Sequence, residues 1–245
     1  MMRLSKIVAL AAAILTTVGT ASAQQDLRVA LLDTEPGVIR NGNQVGGRDI
    51  DIWDAIAKDT GLRFTYLFMN VPQLLAALDE GKADVIGWGI SPTPATEAKY
   101  LLTDTILPTA EALVVLKTDT RMYRGLDDIK SLSFATLTAS PYADYLKKNG
   151  IINIKEFDTI PDIVKAVSSG GASAAMFSGI IAGYLLKQGK LPDLQIVRSY
   201  QPALSRPIVA AFPKIAVENY NRANASLKKL SADGTMARIK AKYGL

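Results

Sequence analysis

DIDIWDAIAKDTGLRFTYLF, residues 49–68, decides the fold class. Ile52, Trp53, Ile56 and Ala57 fall on one helical face and Gly61 supplies a stop, whereas LRFTYLF (62–68) alternates as a strand. Working outward, LRVALL (27–32) is a short apolar run closed by DTEPG and reads as a strand. VPQLLAALDEGK (71–82) sets Leu74, Leu75 and Leu78 at helical spacing before Gly81, and ADVIGWGI (83–90) reads as a buried strand. The order is β-α-β-α-β, which favours a parallel sheet with right-handed crossovers.

The pattern then returns. LSFATL (132–137), PYADYLKKNG (141–150), INIKEF (152–157), IPDIVKAVSSG (160–170) and SAAMFSG (173–179) repeat the five elements at similar lengths. A repeated α/β unit predicts two similar lobes, 24–113 with 207–245 and 114–206. EALVVLK (111–117) is read as a strand leaving the first lobe and RPIVAAF (206–212) as one coming back. A final helix from about Val217 to Lys242, interrupted at Ala232-Asp233-Gly234, is expected to pack on the first lobe. Two crossings make a hinge, and the cleft it closes is the natural place for a small ligand.

Composition narrows the chemistry. Arg3 and Lys6, an apolar core from Ile7 to Val18 and Ala21-Ser22-Ala23 read as a signal peptide over 1–23, too short in its apolar part to span a membrane. The expected location is the periplasm. Removing the peptide takes two charges from a formal +5, and so mild a surplus without basic runs argues against nucleic acid as a partner. There is no cysteine and no histidine. Disulfides, a Ser-His-Asp relay and a His-ligated metal centre are thereby excluded, so no cofactor, metal or catalytic residue is assigned.

LRVA, GGRDIDIWDAIAKDTG, LLAALDEGKADVI, LTDTILPTAEALVVLK and LSADGTMARIKAKYG, in that order, resemble the bacterial extracellular solute-binding proteins of family 3, the polar amino acid receptors of ABC importers. The resemblance implies an α/β, two-lobe periplasmic binding protein of the venus-flytrap type II, each lobe a mostly parallel sheet flanked by helices. It also implies a monomer that takes up a small-molecule ligand and hands it to an ABC permease in the inner membrane.

In receptors that this chain resembles, the first-lobe loop reads Gly-x-Ser-Ile-Thr-x-x-Arg, and the arginine clamps the ligand carboxylate with two parallel charge-assisted hydrogen bonds. Here Gly89, Ser91 and Thr93 keep the first part, and the arginine position is Thr96. The acidic residue that would meet a ligand ammonium is replaced by Ser178, and Val71 stands where an aromatic often stacks on the ligand. The second-lobe turn is Ala139-Ser140-Pro141. Both anchors for a zwitterion are therefore hydroxyls, and Ser91, Thr96, Ser140 and Ser178 are expected to form a neutral polar pocket.

Other cations could take over. Arg48 opens the first helix, where the dipole disfavours a cation; it is read as facing the cleft, as ion-paired, or as a surface arginine beside Asp49 and Asp51. Arg206 sits at a hinge strand and is read as meeting either a ligand or a lobe-edge carboxylate. Glu35, in the loop after the first strand, is a candidate for facing the cleft. Trp88 is read as core and Lys99 as solvent-exposed. Two alternatives to transport share the fold: an accessory or sensory flytrap of a periplasmic oxidation system, and an enzyme like cyclohexadienyl dehydratase with Glu35 or Glu111 as general acid.

Overall fold

The computed structural model describes residues 26–245. The expected signal peptide lies outside them. The first unit comprises β1 (Leu27–Leu32), the hairpin β2 (Ile39–Asn41) and β3 (Gln44–Gly46), α1 (Arg48–Thr60), β4 (Phe64–Met69), α2 (Val71–Asp79) and β5 (Val85–Ile90). β1 pairs in parallel with β4 on one side and β5 on the other. Helix α1 buries Ile52, Trp53 and Ile56, as their spacing requires. Trp53 meets Phe64 edge-on at 5.1 Å and donates from Nε1 to the Gly87 carbonyl at 3.2 Å. This approach demands glycine, because a Cβ at residue 87 would lie 2.5 Å from that nitrogen.

α3 (Pro94–Lys99), β6 (Tyr100–Leu102) and β7 (Leu107–Thr109) lead to the second half. There β8 (Glu111–Leu116), α4 (Leu126–Ile129), β9 (Phe134–Leu137), α5 (Pro141–Lys148), β10 (Ile154–Phe157), α6 (Ile160–Ser168), β11 (Ala174–Ser178), α7 (Gly179–Lys187) and β12 (Leu194–Ile196) follow. β13 (Arg206–Pro213), α8 (Val217–Ala232) and α9 (Thr235–Lys242) close the chain. The sheets run β4-β1-β5-β13-β6, with β7 on β13, and β10-β9-β11-β8-β12. Each is thus a parallel trio from its own β-α-β-α-β unit, extended by antiparallel strands. The strand beside the trio comes from a crossing: β13 beside β5, β8 beside β11.

The expected boundary at 113/114 needs correction. It cuts β8, whose residues Glu111 to Val115 all pair with β11, so the chain changes sheet at Ala110. Arg206, assigned to the second lobe, already pairs with Thr109 of β7. An apolar run such as EALVVLK looks the same whichever sheet it joins, so its pairing is invisible in the sequence. The two crossings are tied together by Glu111, whose carboxylate accepts from the Ala203 and Leu204 amides at 2.6 and 2.8 Å. Carboxylates held this way resist separation because each amide bond is charge-assisted.

One core gathers Trp53, Ile86 and Phe212 with the inner faces of α8 and α9, and the second sheet carries a core on each face. The break in the last helix falls at Gly234, in the left-handed region at φ 79°. Among the described residues no helix is long and apolar enough to cross a membrane.

Candidate functional site

The two halves meet closed. Val71 packs against both the first core and one core of the second sheet, and Ile180 of α7 packs on the first. Lys190, after α7, forms an ion pair with Glu35, after β1. Between the sheets lies a cavity of about 70 Å³, walled by apolar side chains including Leu32, Leu74, Trp88, Leu137, Ile181 and Ile208. Its polar lining is Thr109, Ser140, Tyr142, Ser178 and Arg206. A wider mouth of about 400 Å³ shares Val71, Leu75, Gly89, Ile90, Pro141 and Arg206 with it and adds Ser91, Thr96 and Asp144. Ligand pockets commonly run from about 300 Å³ upward, so the mouth and cavity together make the chamber.

Strand pairing builds the polar end. Arg206 lies opposite Thr109 on the crossing strands, and Thr109 Oγ1 and Ser178 Oγ are 3.0 Å apart at the end of β11. The phenol of Tyr142, in the first turn of α5, sits against both hydroxyls. Burial pushes its pKa up, against the pull of Arg206 and those hydroxyls. Arg206 Nη2 donates to Ser91 Oγ at 2.6 Å, and Ser91 Oγ donates to the Pro207 carbonyl at 2.9 Å. Arg206 Nε is buried with no hydrogen-bond partner. Loss of water around the guanidinium pulls its pKa below the ordinary arginine range, while Tyr142, Asp144 and Glu111 pull it back. An unmatched buried donor on a cation is costly unless a ligand meets it.

Val71, Gly89, Ser140, Ser178 and Arg206 therefore line the central cavity, and Ser91 and Thr96 its mouth. The hydroxyls are not free to serve as expected. Thr96 Oγ1 is bound to the Thr93 amide and donates to the Ser91 carbonyl at 3.0 Å, so it caps α3 and shapes the loop. Ser140 Oγ accepts from the Ala143 amide and caps α5. Thr93-Pro94 and Ser140-Pro141 are helix starts, and capping them uses the Thr96 and Ser140 oxygens. Ala139, before Ser140, holds a left-handed φ of 53°, a conformation that glycine adopts without strain.

Arg48 is ion-paired and faces neither the cleft nor solvent: it is 2% exposed, bonded to Asp49 at 2.7 Å, with its guanidinium 3.7 Å from the Trp88 ring centroid. Its guanidinium is thus a cation stacked on an indole. Burial drives the Asp49 pKa up, opposed by Arg48. Trp88 is core on one face and cavity wall on the other. Glu35 does face the cleft but lies outside the chamber, lining a second pocket between the halves, of about 520 Å³, with Arg40, Ile160 and Lys190. Lys99 is exposed, as expected, and bonds Asp79 at 2.5 Å. Thr109 and Tyr142 were not legible as site residues, since only long-range pairing brings them to the cavity. Among the described residues there is no cluster of three or more histidine, cysteine, aspartate or glutamate side chains placed to hold a metal ion.

Known proteins share this architecture. The putative amino-acid ABC transporter-binding protein PatH of Vibrio harveyi is 28% identical over 95% of this chain and 94% of its own. An ancestral arginine-binding protein bound to glutamine superposes with a TM-score of 0.81 at 26% identity, over 89% of this chain and 97% of that one. The arginine-, lysine-, histidine-binding protein ArtJ of Geobacillus stearothermophilus gives 0.81 at 20% identity, over 90% and 95%. These neighbours have the type II periplasmic binding protein fold, as does this chain. Residues 27–245 match the bacterial extracellular solute-binding proteins, family 3, and with two sheets closed on an inter-sheet chamber the chain belongs to that family.

Proposed function

We propose that the protein is a periplasmic receptor that captures a small solute through an anionic group held by Arg206 and delivers it, as a monomer, to the permease of an ABC importer. The observation that carries this reading is the buried, unpartnered Nε of Arg206 at the polar end of the chamber. The arginine missing at Thr96 is replaced in space by one arriving on β13, which reaches the same loop through Ser91. Relatives that bind amino acids support capture of a small polar molecule. A dehydratase reading receives less support, because Glu111 is committed to amides of the crossing and Glu35 to Lys190. No observation favours the accessory or sensory reading over transport.

A thermal-shift screen against amino acids, carboxylates, polyols and amines tests this. A solute bearing an anion should stabilise the protein by about 2.7 kcal/mol at a hundred times its dissociation constant, and the shift should vanish in Arg206→Ala. Stabilisation by polyols or amines alone contradicts it.

A further inference from the structure

Among the described residues, the central cavity is lined by one charge and no counter-charge. Arg206 is, among the described residues, the sole ionised side chain lining that cavity, and no aspartate or glutamate lines it. From this, and resting on the reading of Arg206 above, we infer that the solute is a small monocarboxylate with a compact apolar body and no ammonium group.

An ammonium carries three donors and no acceptor. The side-chain oxygens it would meet in the cavity are neutral hydroxyls that share their hydrogen bonds with one another and with the backbone, and none brings a negative charge: Thr109 with Ser178, Ser140 with the Ala143 amide, and Tyr142 against Thr109 and Ser178. Burying a cation beside another cation, with no carboxylate to offset it, is among the most costly arrangements in a protein interior. Two acids lie near the chamber without lining the cavity: Asp144 is solvent-exposed in the outer mouth, which it shares with Lys148, and Glu111 is buried behind Thr109 with its carboxylate bound to the Ala203 and Leu204 amides.

The anionic end is specified as closely. A single guanidinium matches a carboxylate in charge and in the spacing of its donors. A phosphate dianion would leave charge unbalanced in the cavity. The body of the solute then lies against aliphatic walls and Trp88, where amide or hydroxyl groups find few partners. A cavity of about 70 Å³ admits only a short chain before the solute passes Val71 and Leu75 into the mouth.

Calorimetry on matched triplets separates the ends of the solute: propionate, alanine and ethylamine; isovalerate, valine and isobutylamine; 4-methylvalerate, leucine and isopentylamine. At least one carboxylate should bind tenfold or more tighter than its amino acid, with no heat from the amines. Ser178→Asp, which places an acid in the cavity, should move the preference toward the amino acid by tenfold or more. An amino acid that binds wild type as well as its carboxylate overturns the inferred class; if Arg206→Ala abolishes that binding, the anchoring role of Arg206 still stands. Binding of an amine overturns both. If no carboxylate of the series binds, the class is overturned, and a different anion lost in Arg206→Ala leaves the parent reading intact.

Discussion

Arg206 Nη2 and Ser91 Oγ, separated by 115 residues in sequence, are 2.6 Å apart. This contact couples the strand that re-enters the first sheet to the loop that leaves β5. It orients the guanidinium while leaving Nε for a partner. Removing one member of a buried charge pair costs about 2–5 kcal/mol, and about 1.4 kcal/mol is tenfold in affinity. Arg206→Ala should weaken the carboxylate by roughly thirty-fold to several thousand-fold with the far-ultraviolet spectrum unchanged, and Arg206→Lys, which keeps charge but loses the fork, should fall between. Calorimetry reads both.

Arg48 contributes to stability, not to ligand capture. Its removal leaves the Asp49 carboxyl almost fully buried without its partner, a loss of about 3–5 kcal/mol for a broken interior pair. Urea denaturation of Arg48→Ala should show that loss, and Arg48→Ala with Asp49→Asn should recover part of it. An unchanged midpoint in the single variant contradicts this assignment.

The Glu35–Lys190 pair closes the cleft on the side away from Arg206. Lys190 is half exposed, and such pairs contribute at most about 1 kcal/mol. Lys190→Met should therefore lower ligand affinity by no more than about fivefold and make it less sensitive to salt. In small-angle scattering the ligand-free variant should have a larger radius of gyration than wild type.

Much of the fold was legible because its signals are local. Ile52, Trp53 and Ile56 reveal α1, and the returning β-α-β-α-β pattern reveals a second unit. The sheet change at Ala110 was not, since it depends on which distant strand β8 pairs with. In the site, the family resemblance identified the loop and the missing arginine, but Ser140 caps α5 and Thr96 completes the cap that Thr93 makes on α3. Arg48 misleads for a physical reason: a cation at a helix start is disfavoured in water, whereas here Asp49 and the Trp88 face offset that cost.

Acid should unfold the protein partly through Asp119 and Asp84. Hydrogen bonds from Arg121 hold the Asp119 carboxyl at a pKa of about 2, and those from Arg28 hold Asp84 below its ordinary value. As pH falls from about 4, the unfolded chain takes up these protons first, so stability drops through the range down to about 2. Asp119→Asn should be less stable than wild type at neutral pH and show a shallower decline below pH about 4. Equal slopes in the two proteins contradict this.

The most direct test is a crystal structure grown with whichever carboxylate of the matched series stabilises the protein most. The account predicts a carboxylate oxygen within hydrogen-bond distance of Arg206 Nε, in the cavity between Trp88 and Ile181. A carboxylate seated instead beside Glu35 and Arg40, with Arg206 still turned only to Ser91, would contradict it.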